Sequence, residues 1–296
     1  MHRKPNPQPI GFSNPAHAIG TLSRLVAALA AALLSAMPTP AMADPPPAAV
    51  AAFNKYTAQF ESALALRHNS PDEFLAPFDR ARVRAGEVIV EQITPGADSS
   101  FPGAMLHHWR GTAFVPGARA VDLEKLLRDY SRYPTVYAPQ VIAAKVLAHS
   151  GNHYQTMLRL SQKHVITIVL DAKYDIHFYP ASMIDAPGTP QHGYDISHST
   201  SISEIADPGT AKEHALDSGH EHGFLWRLNT YWSWEERDGG LYMQIETISL
   251  TRAVPAGLGW AVGPFVNSIP RESLEFTLHS TATALHSALP AERTQP

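Results

Sequence analysis

The stretch from Gly223 to Leu289 constrains the fold more than any other. It opens with Gly-Phe-Leu-Trp-Arg-Leu-Asn-Thr-Tyr-Trp-Ser-Trp (223–234), rich in the aromatic residues that favour strands. Asp238 and Gly239 then supply a two-residue turn signal, because both central positions of a type I′ hairpin need positive φ. A second strand runs from Leu241 to about Leu250 and is stopped by Pro255; from Gly257 the apolar spacing becomes helical. A hairpin that feeds a long terminal helix predicts a sheet curled around that helix, with room for something apolar between them.

The first residues read as an address rather than as structure. Arg3, Lys4 and Arg24 make a positive leading region without acids, Leu25 to Leu34 is a ten-residue apolar core, and Ala41-Met42-Ala43 is a small-x-small cleavage pattern. That core is too short to span a bilayer, which takes about 20 residues. Residues 1–43 are therefore expected to be a secretory signal peptide and the remainder a periplasmic or secreted protein. The 253 residues that follow carry 20 Lys+Arg against 27 Asp+Glu, a formal charge of −7. Nucleic acid and anionic lipid headgroups both require clustered cations, so neither is expected as a partner. Cysteine is absent, which excludes disulfides, thiol chemistry and a lipoprotein anchor. Stability must come from the core.

After the Pro-rich linker at Asp44 to Pro47, Val50, Phe53, Thr57, Phe60 and Leu64 recur at helical spacing. Gly86 to Ile93 alternates weakly, as a possible strand. Leu106 to Val115 is a stronger one, and Val121 to Leu127 a short helix broken by Asp129-Tyr-Ser-Arg-Tyr-Pro134. Strands are then expected at Val141–Ala148, Tyr154–Leu160, Val165–Leu170, Tyr174–Phe178 and Tyr194–Ile205, with a polar loop from Ala206 to His222. Strands and helices do not alternate, so a parallel sheet is not expected.

This order resembles the helix-grip superfamily of START domains, polyketide cyclases and pollen-allergen-like proteins, often called SRPBCC, in an exported bacterial subgroup. The matching pieces are Gly111-Thr-Ala-Phe-Val-Pro-Gly117, Leu127-Arg-Asp-Tyr-Ser-Arg-Tyr-Pro-Thr-Val-Tyr-Ala-Pro139, Gly223 to Asn229, Ser249-Leu-Thr-Arg252 and Pro270-Arg-Glu-Ser-Leu274. The resemblance implies an α+β fold in which a curved antiparallel sheet wraps around the C-terminal helix, here over 104–289. An extra N-terminal helix and possible strand would occupy 44–103, and 290–296 a tail. It also implies a cavity for a lipid, sterol-like or polyketide-like molecule.

On the strand from Phe224 to Trp234, Trp226, Leu228, Trp232 and Trp234 fall on one face and Arg227, Asn229 and Tyr231 on the other. The two-residue turn sets Trp232 opposite Ile245 and Tyr231 opposite Glu246. Pattern alone does not say which face looks inward. An apolar lining would use Trp226, Trp232 and Trp234, with Trp260, Phe265 and Ile269 from the terminal helix; polar anchors would be Arg227, Asn229, Tyr231, Tyr242 and Glu246. On the terminal helix, Leu258, Val262, Phe265 and Ile269 precede Pro270, and Leu274, Leu278, Thr281 and Leu285 follow it; Pro270 is expected to kink or split that helix.

Catalytic signals are sparse. There is no nucleophile elbow, no His-Glu-x-x-His and no Walker loop, and Gly257-Leu-Gly-Trp-Ala-Val-Gly263 misses the dinucleotide fingerprint by one residue. No catalytic residues are assigned, although Glu246, His177 or Tyr242 could serve acid–base chemistry in a cavity. Glu213, His214, Asp217, His220, Glu221 and His222 share one polar loop and are metal-ligand types, but no second pair stands at a familiar spacing. The expectation is a binding or carrier protein without cofactor or metal. The alternatives are a cyclase- or aromatase-like enzyme and a structural protein with a filled core. Nothing specifies a protein partner.

Overall fold

A long helix, α1 (Pro47–His68), begins with a proline, whose missing N–H costs nothing in a first turn. Ala49, Phe53, Thr57, Leu64 and His68 recur along one buried stripe of it. The short helix α2 (Arg80–Arg84) is capped by the Asp79 carboxylate, which accepts the Arg82 N–H at 3.1 Å. Next come β1 (Ile89–Gln92), β2 (Ser100–Phe101), β3 (Ala104–Pro116), α3 (Ala120–Arg128), a 3-10 turn (Tyr130–Arg132) and α4 (Tyr133–Val136). The strands β4 (Val141–Ser150), β5 (His153–Lys163), β6 (Thr167–Tyr179), β7 (His192–Ala206), β8 (His214–Ala215), β9 (Arg227–Arg237) and β10 (Gly240–Arg252) follow, and α5 (Gly259–Ala288) closes the chain. The computed structural model describes residues 44–70, 73–94, 100–101, 103–163, 167–180, 191–217, 220–253 and 259–289, with the side chains of 100–101 and 259–267 outside the description. The segment 1–43 and the tail 290–296 lie outside the described residues.

The sheet order is β1-β3-β10-β9-β7-β6-β5-β4, with β2 on β3 and β8 on β7. Neighbouring strands pair antiparallel. The weakly alternating segment at Gly86 to Ile93 is β1, an edge strand on β3. The two apolar runs expected before and after Asp171 are one strand, β6, with 164–166 outside the described residues. The β9–β10 hairpin turns on Asp238 (φ 58°) and Gly239 (φ 76°), as a type I′ turn requires. Its register is the one the turn dictates: Trp232 faces Ile245 and Tyr231 faces Glu246.

Residues directly opposite in such a ladder share a face, so the register sorts the side chains. Gly111, Ile245 and Trp232 form one row. A Cβ on Gly111 would lie 2.5 Å from Leu278 Cδ1, so this row faces α5. The adjacent row of Arg110, Glu246 and Tyr231 faces α1. One sheet thus separates two cores. The first joins Trp109, Trp232, Trp234, Met243 and Ile245 to Leu274, Leu278 and Leu285 of α5. The second joins Ala49, Phe53 and Leu64 of α1 to Leu106, Tyr231, Ile248 and Leu250.

The sheet curves around α5. Gly111 on β3 abuts Leu274 and Leu278, while Gln162 on β5 donates to Ser273 Oγ at 3.1 Å. Those two strands stand apart in the sheet, separated by β10, β9, β7 and β6, yet both touch one helix. Pro270 does not split α5, which runs as one 30-residue helix held on the sheet by Leu274, Leu278 and Leu285. A curved antiparallel sheet gripping a C-terminal helix, with an added N-terminal helix on its outer face, is the helix-grip architecture.

Candidate functional site

The interior between the sheet and α5 is where the strands bring chemistry together. Apolar side chains dominate it: Trp109, Trp232 and Trp234 from the sheet's centre, Tyr174, Ile176 and Phe178 from β6, and Leu123, Leu126 and Leu127 from α3. Close backbone approaches shape it. A Cβ on Gly193 would overlap the Trp234 indole, so that ring lies flat on β7 and is fully buried. The break after α3 contributes Tyr130, Tyr133 and Tyr137, whose rings contact in series at 4.8 and 5.0 Å between centroids. Tyr133 donates its hydroxyl to the Leu127 carbonyl at 2.7 Å, and Tyr137 shares a 3.0 Å hydrogen bond with Thr281 of α5.

Into this surface the fold places polar atoms that have no partner among the described residues. Trp109 Nε1, Trp234 Nε1 and Thr156 Oγ1 are buried and make no hydrogen bond among the described residues. An unmet buried donor costs about 1–3 kcal/mol, and buried indole N–H groups usually find an acceptor. Asp195 lies opposite Trp232 on β7, 3% exposed. Burial drives its carboxyl well above the ordinary carboxylate range, and the Trp232 backbone and Arg128 charge offset this only in part. The shift favours the neutral carboxyl, a form that can donate as well as accept. Burial also lifts the Tyr137 hydroxyl to about 12, and desolvation raises Tyr130, Tyr133 and Tyr174 further.

The residues marked from sequence divide between the two faces. Trp232 and Trp234 lie inside, in the core against α5. Ile269 is half-buried on α5, and the side chains of Trp260 and Phe265 lie outside the described residues. Trp226 does not share a face with Trp232. It precedes the first residue of β9, so strand parity does not reach it, and it packs with Phe53 and Leu250 in the α1 core. The five proposed anchors, Arg227, Asn229, Tyr231, Tyr242 and Glu246, all sit on the outer face, away from Trp232 and Trp234. Arg227 and Asn229 line an open polar recess of about 310 Å³ beneath α1, with Asn54, Glu61 and His198. Tyr231 donates to Glu61 at 2.7 Å, and Tyr242 to Asp238 at 2.7 Å.

Glu246 anchors α1. Its carboxylate accepts from Arg67 at 2.6 Å and lies 3.3 Å from His108 Nε2, whose Nδ1 meets the Tyr56 hydroxyl at 2.8 Å. Burial pushes the Glu246 carboxyl up, yet His108 and Arg67 together hold it below the usual range. In the polar loop the ligand-type residues turn to separate partners. Glu213 pairs with Arg159, His214 with the Lys212 carbonyl, and His222 with Glu204. Asp195, Thr156, Trp109 and the three tyrosines were not picked out by sequence reasoning. The one signal for Asp195 is alternation: Gly193, Asp195 and Ser197 share a face of β7.

No known family profile matches the sequence, and no curated protein matches it. Among solved structures, the chain is similar to a STAR-related lipid transfer protein from Xanthomonas axonopodis, at 16% identity and a TM-score of 0.40 over 66% of this chain and 98% of that one. It is also similar to a START superfamily protein from Mycobacterium smegmatis (12% identity, TM-score 0.38, 62% and 99% covered). A third is the Zhui aromatase/cyclase from Streptomyces sp. R1128 (11% identity, TM-score 0.39, 62% and 92% covered). What makes this a helix-grip architecture is the strand order and the seating of α5 in the curve of the sheet.

Proposed function

We propose that this protein is an exported carrier that binds an apolar small molecule bearing oxygen acceptors, held between the sheet and α5. The observation that carries this reading is the set of buried donors without a partner among the described residues, Trp109 Nε1, Trp234 Nε1 and Thr156 Oγ1, together with the buried Asp195 carboxyl, in an otherwise aromatic and aliphatic interior. A guest with a hydrocarbon body and carbonyl or hydroxyl oxygens matches both parts. The mass of the mature protein tests the export part: cleavage after Ala43 gives a chain beginning at Asp44, whereas an uncleaved chain would argue against export.

A second reading has its own observation. A buried carboxyl whose pKa is raised by burial, in an interior that also holds tyrosines, is equipment for acid–base chemistry on a substrate carbonyl, as a cyclase- or aromatase-like enzyme would need. One experiment addresses both. Protein recovered from its host compartment is extracted with organic solvent and analysed by mass spectrometry, beside the donor-removing variants Thr156→Val and Trp109→Phe. A stoichiometric, oxygen-bearing apolar compound that falls away in the folded variants supports the carrier. A compound that is chemically altered on incubation, and unaltered with Asp195→Asn, moves the assignment to the enzyme. No bound compound, with no quenching of tryptophan fluorescence by fatty acid or sterol probes, would leave a filled core.

A further inference from the structure

Away from that interior, on the outer face of β5 and β6, three metal-ligand side chains converge. Asp175 and His177 are two apart on β6 and so point the same way. His153 stands at the start of β5. His153 Nε2 lies 2.8 Å from Asp175 Oδ2, and His177 Nδ1 lies 3.5 Å from Asp175 Oδ1. One ligand atom from each residue falls within 4.8 Å of the others. The two imidazoles are stacked 4.2 Å apart at 13°, so both rings present their edges to the same carboxylate.

The backbone beneath is held in place. The β4–β5 turn passes through Gly151 at φ 59°, a conformation that favours glycine. Asn152 beside it takes the Phe178 N–H on its carbonyl at 2.9 Å and an Arg128 N–H on its side chain at 2.9 Å. These bonds tie the start of β5 to the strand that carries Asp175 and His177. The three side chains are between 31% and 51% exposed, so a bound ion would keep open positions for water.

We propose that His153, Asp175 and His177 form a binding site for a borderline divalent cation of the zinc class, bridging β5 and β6. Two imidazole nitrogens and one carboxylate oxygen suit Zn²⁺, Co²⁺, Ni²⁺ or Cu²⁺, whereas Mg²⁺ and Ca²⁺ prefer all-oxygen shells. The site is independent of the interior, because these residues lie on the face opposite Tyr174, Ile176 and Phe178.

The test is calorimetric titration of chelator-treated full chain with ZnCl₂, alongside Asp175→Asn, the double variant His153→Gln/His177→Gln, and a control, His214→Gln/His279→Gln, at exposed histidines elsewhere. The expected result is one equivalent bound with a dissociation constant on the order of micromolar. Affinity should fall at least tenfold in the first two variants and stay unchanged in the control. Co²⁺ serves as a second readout: visible d–d bands of a low-coordinate site should appear in the wild type and vanish with Asp175→Asn. Circular dichroism confirms folding of each variant. Equal Zn²⁺ binding by the wild type and the His153→Gln/His177→Gln variant, or loss only in the control, would overturn the assignment.

Discussion

Asp195 and Trp232 face each other across β7 and β9, and both side chains lie on the side of the sheet that holds α5. The pairing brings an acid into an aromatic interior, and burial there raises its pKa. Its value in the unfolded chain is 3.8 and its folded value is raised. The stability tied to the protonated form is therefore complete below 3.8 and is lost as pH rises toward the folded value. Across that interval the folding constant should drop about tenfold for each pH unit. Asp195→Asn, which keeps the shape and the donor, should remove this slope and melt higher than the wild type at pH 7. Thermal melts of both proteins from pH 4 to pH 8 check it. Parallel curves would mean that Asp195 ionises freely in the fold.

His68 works in the opposite sense. Buried at the end of α1 against Phe74 and Tyr194, and 2.9 Å from Ser233 Oγ, it has its pKa lowered from 6.5 to about 3, first by burial and then by the Arg67 charge. A depressed folded value means that its contribution is present above 6.5 and is lost as pH falls toward 3. His68→Gln should be less stable than the wild type at pH 7 yet lose less on acidification. Urea midpoints at pH 7 and pH 4 give the comparison; an equal acid-induced loss in both proteins would refute it.

The Arg67–Glu246 pair is predicted to be a latch for α1. Arg67→Ala leaves the Glu246 carboxylate, 4% exposed, without its guanidinium, and should cost about 3 kcal/mol. Glu246→Gln should cost less, since the hydrogen-bonding shape survives. Hydrogen exchange read along the sequence should show the loss of protection concentrated in α1. A cost below about 1 kcal/mol would identify the pair as incidental.

Gly111 is predicted to be a packing requirement. Alanine there would set its methyl 2.5 Å from Leu278 Cδ1 and 3.2 Å from Leu274, an overpacking worth about 1–3 kcal/mol. Adding Leu278→Val should recover part of the loss. If the double variant is no more stable than Gly111→Ala alone, the contact with α5 is not the cause.

Much of the fold is legible in the sequence because its signals are local. The type I′ turn at Asp238-Gly239 needs only two residues, and once it is fixed every side chain of β9 and β10 has its partner and face. The interior site is less legible because its members meet only in three dimensions. Asp195 reaches Trp232 through a pairing of strands separated by the whole 206–222 loop, and no local spacing encodes that register. Trp226 shows where parity stops. Its N–H bonds the Leu250 carbonyl before β9 begins, and the bend at Gly223 (φ 76°) turns its ring to the other core. The polar residues of β9 and β10 lie on the face away from α5, and pattern alone does not tell that a second element, α1, covers that face. His153 is invisible beside Asp175 and His177 until β5 is laid against β6.

α1 touches β3 through Leu106, β10 through Glu246 and Leu250, β9 through Tyr231 and Ser233, and β7 through His198. A rod fastened across four adjacent strands acts as a splint. The middle of the sheet cannot flatten without tearing buried charges apart, so its curvature is set from behind. On the carrier reading proposed above, a guest entering or leaving the concave side would pass by displacing α5 or the tyrosine-bearing turn rather than the strands that α1 splints.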